Sequence, residues 1–220
     1  MEVDHIYICT DYKAPTGELL KEFGLTEGTS NTHPGQGTAN RRFFFHNFML
    51  ELLWIENSDE VKSNLTRPMK LFERCNKFDT NISPFGIGLR PANEKNEKVL
   101  FPVWDYHPLY LPDFLKIQVA DDTPLSEPMF FYLSFADRQD KYPAEKKENM
   151  KHSLPLKEVT NIEVHINQKN EFSEAAKIIN NIDNLLLIKD NENYLKLTFD
   201  KGAYKKEKDF RPNIPLIINW

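Results

Sequence analysis

The sequence predicts an α+β fold in which strands outnumber helices. Apolar and polar residues alternate over several short runs, which is typical of half-buried strands. The order strand, helix, weak strand, strand, strand also occurs near both ends of the 220-residue chain. We therefore expect a first βαβββ module at residues 1–58, a β-rich middle segment at 59–157 and a C-terminal βαβββ module at 158–220.

The elements of the first module follow from local signals. Pro15 suits the first turn of a helix, and Gly24 suits the position after its last turn. The loop after this helix is rich in Gly, Thr, Ser, Asn and Pro, so it is expected to hold at most one irregular strand. The predicted strand, helix, loop and two further strands lie at residues 3–9, 15–23, 25–38, 42–46 and 49–55.

The rest of the chain is predicted in the same way. Ser173 is a suitable N-cap for a helix in the C-terminal module. The predicted C-terminal strand, helix and three further strands lie at residues 161–166, 173–182, 185–188, 194–199 and 214–220. Strand-like runs in the proline-punctuated middle segment lie at residues 85–90, 114–119 and 129–135. The charged run from Arg138 to Lys151 has no apolar stripe and is expected to be an exposed loop or linker.

Composition excludes several classes of protein. The net charge of -5 gives no positive field for a nucleic acid. Cys9 and Cys75 form no CxxC pair, so neither a disulfide framework nor a thiolate zinc site is expected. The acidic N-terminus lacks a secretory apolar region, and no run of about 18 apolar residues occurs. These features predict a cytoplasmic protein that does not act at a membrane.

Residues 24–55, GLTEGTSNTHPGQGTANRRFFFHNFMLELLWI, resemble glyoxalase-like proteins of the vicinal oxygen chelate superfamily. Asp-His-Ile in the first strand, the HPGxGTxN loop and Leu-Glu-Leu in the fourth strand carry the resemblance, and the ending PLIINW is similar to a closing strand of such proteins. The resemblance implies paired βαβββ modules that form curved mixed sheets around a cleft, with the β-rich middle segment inserted between them.

The resemblance also implies a divalent metal in the cleft of catalytic members. His5 and Glu51 match two of the metal-ligand positions, and Glu51 is a candidate catalytic base. The first strand of the second module is either residues 85–90, which contain no metal ligand, or residues 161–165, which place Asn161 at the position of His5. The final strand carries Asn219 where a carboxylate is expected. Two further ligands are therefore not identified.

Polar residues in three segments are candidate ligand-binding residues: His33, Asn40, Arg41, Arg90, Tyr106 and His107. Glycines in the first segment allow backbone N–H groups to approach an anion, but they also suit turns with positive φ. Arg90 could hold a substrate anion or pair with an acid such as Glu51. The aromatic loop at 104–112 could close over a ligand or pack against a sheet edge. The chain has no GxGxxG or GKS/T motif, so no nucleotide cofactor is expected.

Two functions are compatible with these residues. The first is a glyoxalase-like lyase, isomerase or dioxygenase that binds a polar metabolite, with a divalent metal as Lewis acid. The alternative is a non-catalytic small-molecule binding protein of the bleomycin-resistance type. Both require His5 and Glu51 to lie on adjacent strands in one concave pocket. Self-association as a homodimer is also plausible for this family.

Overall fold

A computed structural model describes residues 1–75, 80–92 and 98–220. Strands dominate this part of the chain, and its α-helices are short. The strands form two mixed sheets, one an eight-stranded half-barrel and the other of five strands. The predicted α+β class with curved mixed sheets is confirmed. None of the described helices is long and apolar enough to cross a membrane.

The N-terminal residues follow the predicted βαβββ order. Their elements are β1 (Glu2–Cys9), α1 (Gly17–Phe23), β2 (Asn31–His33), β3 (Thr38–Phe44) and β4 (Met49–Ile55). Gly24 ends α1 with a φ of 115°, a conformation that costs glycine little, and its N–H caps the last turn. In the sheet, β1 lies parallel to β4, and β4 lies antiparallel to β3.

The middle of the chain belongs to the same eight-stranded sheet. Its helices and strands are α2 (Ser58–Val61), α3 (Leu71–Arg74), β5 (Phe85–Arg90), β6 (Val103–Tyr106), β7 (Ile117–Ala120) and β8 (Met129–Tyr132). The strand order is β2-β3-β4-β1-β5-β8-β7-β6, with β1 antiparallel to β5. This segment is therefore not a separate insertion: its four strands extend the sheet that β1 to β4 begin, as in the alternative that takes residues 85–90 as the first strand of the second module.

The C-terminal residues form the five-stranded sheet by themselves. Their elements are β9 (Val159–Asn167), α4 (Glu174–Ile179), β10 (Leu185–Asp190), β11 (Tyr194–Phe199), β12 (Glu207–Asp209) and β13 (Leu216–Asn219). The predicted helix and its surrounding strands are present. However, the strand order β10-β9-β11-β13-β12 includes no N-terminal strand. The partner of the first module is thus the middle segment, and β5 takes the place for which residues 161–165 were the alternative.

The two sheets pack against each other through one apolar core. Ile6 and Leu50 of the first sheet, and Val164 and Leu197 of the second, are fully buried members of this core. Asn47 joins the sheets with two hydrogen bonds to the backbone of Val159, at 2.8 Å and 2.9 Å. Because this packing covers one face of the eight-stranded sheet, the opposite face of β1 and β4 is left to line a cavity. Short 3-10 turns complete the described secondary structure at Arg67–Met69, Gln139–Lys141, Ala144–Lys146 and Asp200–Gly202.

Candidate functional site

The cavity has a volume of about 350 Å³ and lies on the face of the eight-stranded sheet that does not pack on the second sheet. Strands β1, β3 and β4 contribute polar side chains to one part of its wall. Strands β7 and β8 contribute mainly apolar side chains to another. Such a division into a few convergent polar groups and an apolar remainder is typical of small-molecule sites.

His5 and Glu51 lie together in the polar part of the cavity. They occupy the parallel strands β1 and β4, where His5 is opposite Met49 and Glu51 is opposite Tyr7. Nε2 of His5 is 3.6 Å from Oε2 of Glu51. Both residues are buried, with exposed fractions of 8% and 5%. The prediction that they share one concave pocket on adjacent strands is confirmed.

Three further side chains hold this pair in place. The carboxylate of Asp4 accepts a hydrogen bond from Nδ1 of His5 at 2.7 Å. Arg90 donates through Nη1 to the other oxygen of Asp4 at 3.2 Å. Asn40 donates to Oε1 of Glu51 at 2.7 Å. Five polar side chains thus lie in a row, in the order Arg90, Asp4, His5, Glu51 and Asn40. Hydrogen bonds join the neighbours in this row except His5 and Glu51, which face each other across 3.6 Å.

A β-bulge explains how the neighbours Asp4 and His5 both line the cavity. Side chains alternate between the two faces of a regular strand, so consecutive residues normally point apart. The register between β1 and β5 shifts between Val3 and His5, which leaves Asp4 as the extra residue. A bulge of this kind redirects a side chain. Sequence alternation could not identify Asp4 as a site residue for this reason.

The surroundings of the two cavity histidines shift their pKa values in opposite directions. Burial lowers the pKa of His5, but the hydrogen bond to Asp4 and the charges of Asp4 and Glu51 outweigh burial, so that the pKa is raised. Burial is the main influence on His33, and its pKa is lowered. Burial also raises the pKa of the Tyr106 hydroxyl, which therefore stays protonated.

We expect the imidazole of His5 to titrate above 6.5 and that of His33 below 6.5 in the same sample. Because the folded-state pKa of His5 is raised, its protonation stabilises the fold at low pH, and this stabilisation is lost as the pH rises through the folded-state pKa. Ring-nitrogen NMR across a pH series measures both values. An Asp4→Asn variant should lower the pKa of His5, and an unchanged value would show that Asp4 is not the cause.

Three of the predicted ligand-binding residues line the cavity: His33, Asn40 and Tyr106. His107 is exposed and is not part of the cavity wall. The loop that follows Tyr106 contributes Tyr110, whose hydroxyl donates to Oε1 of Gln36 at 3.2 Å. This contact links the loop after β6 to the loop before β3. The aromatic loop thus closes one side of the cavity, and β6 ends within the segment that was expected to be loop.

The structure places Arg41 outside the cavity, contrary to expectation. Its guanidinium binds the carboxylates of Glu27 and Glu18, with Nη2 at 2.6 Å and 2.7 Å from their oxygens. The next residue, Arg42, lines the cavity instead. Alternation along β3 puts Asn40 and Arg42 on one face and Arg41 on the other. This period of two was the sequence signal that could have distinguished the two arginines.

Arg90 is also outside the cavity wall. It does not reach Glu51, which was one of the two alternatives for it, but binds Asp4 through Nη1 at 3.2 Å and Glu2 through Nη2 at 2.9 Å. Its role at the site is therefore indirect.

The charged run from Arg138 to Lys151 is not a detached linker. Gln139, Tyr142, Lys146 and Glu148 from this run line the cavity. Glu148 accepts a hydrogen bond from the backbone N–H of Thr29 at 3.1 Å, which ties the run to the loop before β2. Much of the run is exposed loop, as expected, but these four residues turn towards the cavity, and Tyr142, the aromatic residue within the run, was the available signal.

The fold recurs in a solved structure. A crystal structure of a hypothetical protein from Staphylococcus aureus is similar over 99% of this chain and 98% of that chain, with a TM-score of 0.53 and 12% sequence identity. At this identity the similarity shows the fold alone. No family model matches the chain, and no curated protein matches it.

The second half of the eight-stranded sheet offers no metal donors opposite His5 and Glu51. Gly88 on β5 is paired with His5 on one side and with Phe131 of β8 on the other. A Cβ atom at Gly88 would lie 2.8 Å from Cε1 of His5 and 2.9 Å from the ring of Phe131. Glycine is therefore required here to make room for two rings. Among the described residues, His5 and Glu51 belong to no group of three possible metal-binding atoms within 4.8 Å, whereas metal sites use three or four protein ligands.

The polar residues of the alternative first strand at 161–165, and Asn219 of the final strand, lie away from the cavity. Asn161, Glu163 and His165 lie on β9 of the five-stranded sheet and do not line the cavity. His165 donates through Nδ1 to Asp190 at 2.8 Å and stacks on the ring of Tyr194. These contacts account for His165 as part of the sheet surface. Asn219, on β13, does not line the cavity either.

One group among the described residues brings three possible metal-binding atoms within 4.8 Å of one another: His46, Asp140 and Glu158. It lies outside the cavity wall. Arg138 donates through Nη2 to Asp140 at 3.0 Å and to Glu158 at 2.7 Å. Because this guanidinium already binds both carboxylates, we interpret the group as a partly exposed ion-pair cluster.

Proposed function

We propose that this protein binds a small organic molecule in the cavity of the eight-stranded sheet, as a non-catalytic relative of the glyoxalase-like proteins. The observation that carries the proposal is the buried pair of Glu51 and His5, whose facing atoms are 3.6 Å apart. Buried carboxylates are normally fully hydrogen-bonded or ion-paired. Oε2 of Glu51 is too far from His5 for a direct hydrogen bond, so this carboxylate is suited to bind a ligand in the cavity.

The strand arrangement supports the glyoxalase-like assignment within this proposal. In the first half of the large sheet, β1 lies parallel to β4, and in the second half, β5 lies parallel to β8. The first strands of the two halves pair with each other at the centre of the sheet. Two halves joined edge to edge in this way correspond to the paired modules that the sequence resemblance implies.

The donor set favours binding over metal-dependent chemistry. His5 and Glu51 are opposed by Gly88 and Phe131, and no third metal-binding side chain of the described residues completes a group with them. A metal that binds only the native state must raise the melting temperature. Because the donors here are too few to hold one, we expect Zn²⁺ or Mn²⁺ to change the melting temperature by no more than about 1 °C. Differential scanning fluorimetry with each metal measures this. A rise of about 5 °C that is absent in Glu51→Gln would contradict the expectation.

Filling the cavity tests the binding function itself. Met129 is buried and lines the cavity, so Met129→Trp should abolish the binding of fragments that the parent protein binds. Saturation-transfer NMR with a fragment library measures this loss. The matched control is Leu186→Trp, which adds the same side chain at an exposed position of the second sheet. Fragments that bind equally to the parent and to Met129→Trp would place the binding site elsewhere.

The second candidate is an enzyme in which Glu51 acts as a general base. The hydrogen bond between Asp4 and His5 favours it, since a carboxylate that orients an imidazole is common at reaction centres. The same fragments distinguish the two functions. A binding protein returns each bound fragment unchanged after incubation, whereas an enzyme releases a product that the Glu51→Gln variant does not form.

A further inference from the structure

The carboxylates that line the cavity already have partners on the protein. Among the described residues they are those of Asp4, Glu51 and Glu148. Asp4 pairs with Arg90 at 3.2 Å, Glu148 faces Arg42 at 3.8 Å, and Glu51 accepts a hydrogen bond from Asn40. A charged group on the ligand would therefore be desolvated in this site without an unpaired counter-charge to compensate it.

The polar end of the cavity requires a hydrogen-bond donor. Oε1 of Glu51 already accepts from Asn40, and Nδ1 of His5 already binds Asp4. The remaining atoms, Oε2 and Nε2, are 3.6 Å apart, which is too far for a direct hydrogen bond. A ligand atom that lies between them must donate to the carboxylate oxygen of Glu51. An ionised carboxylate or a fully ionised phosphate on the ligand cannot do so.

Another part of the cavity suits an apolar body. Its wall includes Met69, Leu71, Val119, Met129, Phe131 and Leu133. Val119, Met129 and Phe131 lie on β7 and β8, and Met69 and Leu71 come from the segment before β5. A volume of about 350 Å³ is near the lower end of the range for small-molecule pockets. The body is therefore of the size of one or two rings.

We propose that the ligand is an uncharged amphiphile, in which a hydroxyl or primary amide group donates to Glu51 and an aromatic or branched aliphatic body fills the apolar wall. This inference rests on the proposed binding function. It adds the charge and the shape of the ligand, which that function leaves open.

Four naphthalene probes of similar size test the proposed head group. They are 2-naphthylmethanol, the cationic 2-naphthylmethylamine, the anionic 2-naphthoate and the apolar 2-ethylnaphthalene. We expect 2-naphthylmethanol to bind the parent protein about tenfold or more tightly than each of the others, because it alone is uncharged and donates a hydrogen bond to a carboxylate. Ligand-observed NMR titration at neutral pH gives the four affinities.

Variants assign the preference to Glu51. In Glu51→Gln the advantage of 2-naphthylmethanol over 2-naphthoate should shrink about tenfold, since the repulsion of the anion is removed. Glu163→Gln, at a carboxylate on β9 outside the cavity wall, should keep the full advantage. If Glu51→Gln does not fold, the order of the four probes on the parent protein decides alone.

Each result has one reading. Tightest binding of the amine or the naphthoate, or equal binding of 2-ethylnaphthalene and 2-naphthylmethanol, overturns the uncharged amphiphile but leaves the binding function in place. An advantage of 2-naphthylmethanol that Glu51→Gln leaves unchanged overturns the role of Glu51. If no probe binds the parent protein at millimolar concentration, both the inference and the proposed function fail.

Discussion

Replacing Arg90 by methionine is expected to destabilise the protein by about 3–5 kcal/mol, the usual cost of removing one partner of a buried ion pair. Arg90 is only 2% exposed and donates to Asp4, Glu2 and the backbone oxygens of Val3 and Asn47. Its loss leaves the Asp4 carboxylate buried with His5 as its remaining partner. Urea denaturation of the parent and of Arg90→Met measures the difference in the free energy of unfolding.

The matched control is Arg211→Met. Arg211 binds Asp209 at 2.7 Å, but its side chain is 33% exposed, and pairs of this kind contribute about 1 kcal/mol or less. Similar losses for the two variants would show that burial does not amplify the contribution of Arg90. The double variant Asp4→Asn/Arg90→Met should be more stable than Arg90→Met alone, because it no longer buries a carboxylate that has lost its guanidinium partner.

Replacing Gly86 by alanine is expected to cost about 2–3 kcal/mol through overpacking. A Cβ atom at Gly86 would overlap the ring of Tyr7 on the neighbouring strand. That ring is 3% exposed and stacks on Phe131 with the ring centroids 6.3 Å apart, so it has little room to move. Thermal and urea unfolding of Gly86→Ala measure the loss.

A double-mutant cycle separates this overlap from the intrinsic effect of alanine in a strand. In a Tyr7→Ala background the ring is absent, so Gly86→Ala should cost less than about 1 kcal/mol there. An equal cost in both backgrounds would mean that the ring of Tyr7 is not the obstacle. The cycle also bears on the cavity, since Tyr7 belongs to its wall and depends on the absence of a side chain at Gly86.

The two glycines of β5 link the packing of the sheet to the shape of the site. Gly86 makes room for Tyr7, and Gly88 makes room for the imidazole of His5. Because these two positions of β5 are glycines, they also provide no side chain that could bind a metal. The site is therefore polar where β1 and β4 contribute, and apolar where β8 contributes. This asymmetry underlies both the proposed binding function and the amphiphilic ligand.

The secondary-structure elements that depend on local signals could be predicted from the sequence alone. The strand at β1, the helix ended by Gly24 and the strand at β4 follow from period-two alternation and capping residues, which act over a few positions. The same alternation, with the resemblance, placed His5 and Glu51 on facing positions of one pocket. The C-terminal helix and its strands were predicted for the same reason.

The pairing of the strands and the side chains that line the cavity could be assigned only from the tertiary structure. The partner of β1 is β5 and not a C-terminal strand, because strand pairing depends on packing between distant segments that alternation does not encode. Asp4 enters the cavity through a bulge in the β1–β5 register. The run after Arg138 covers the cavity because tertiary contacts, such as that between Glu148 and Thr29, hold a charged segment that local pattern alone assigns to solvent.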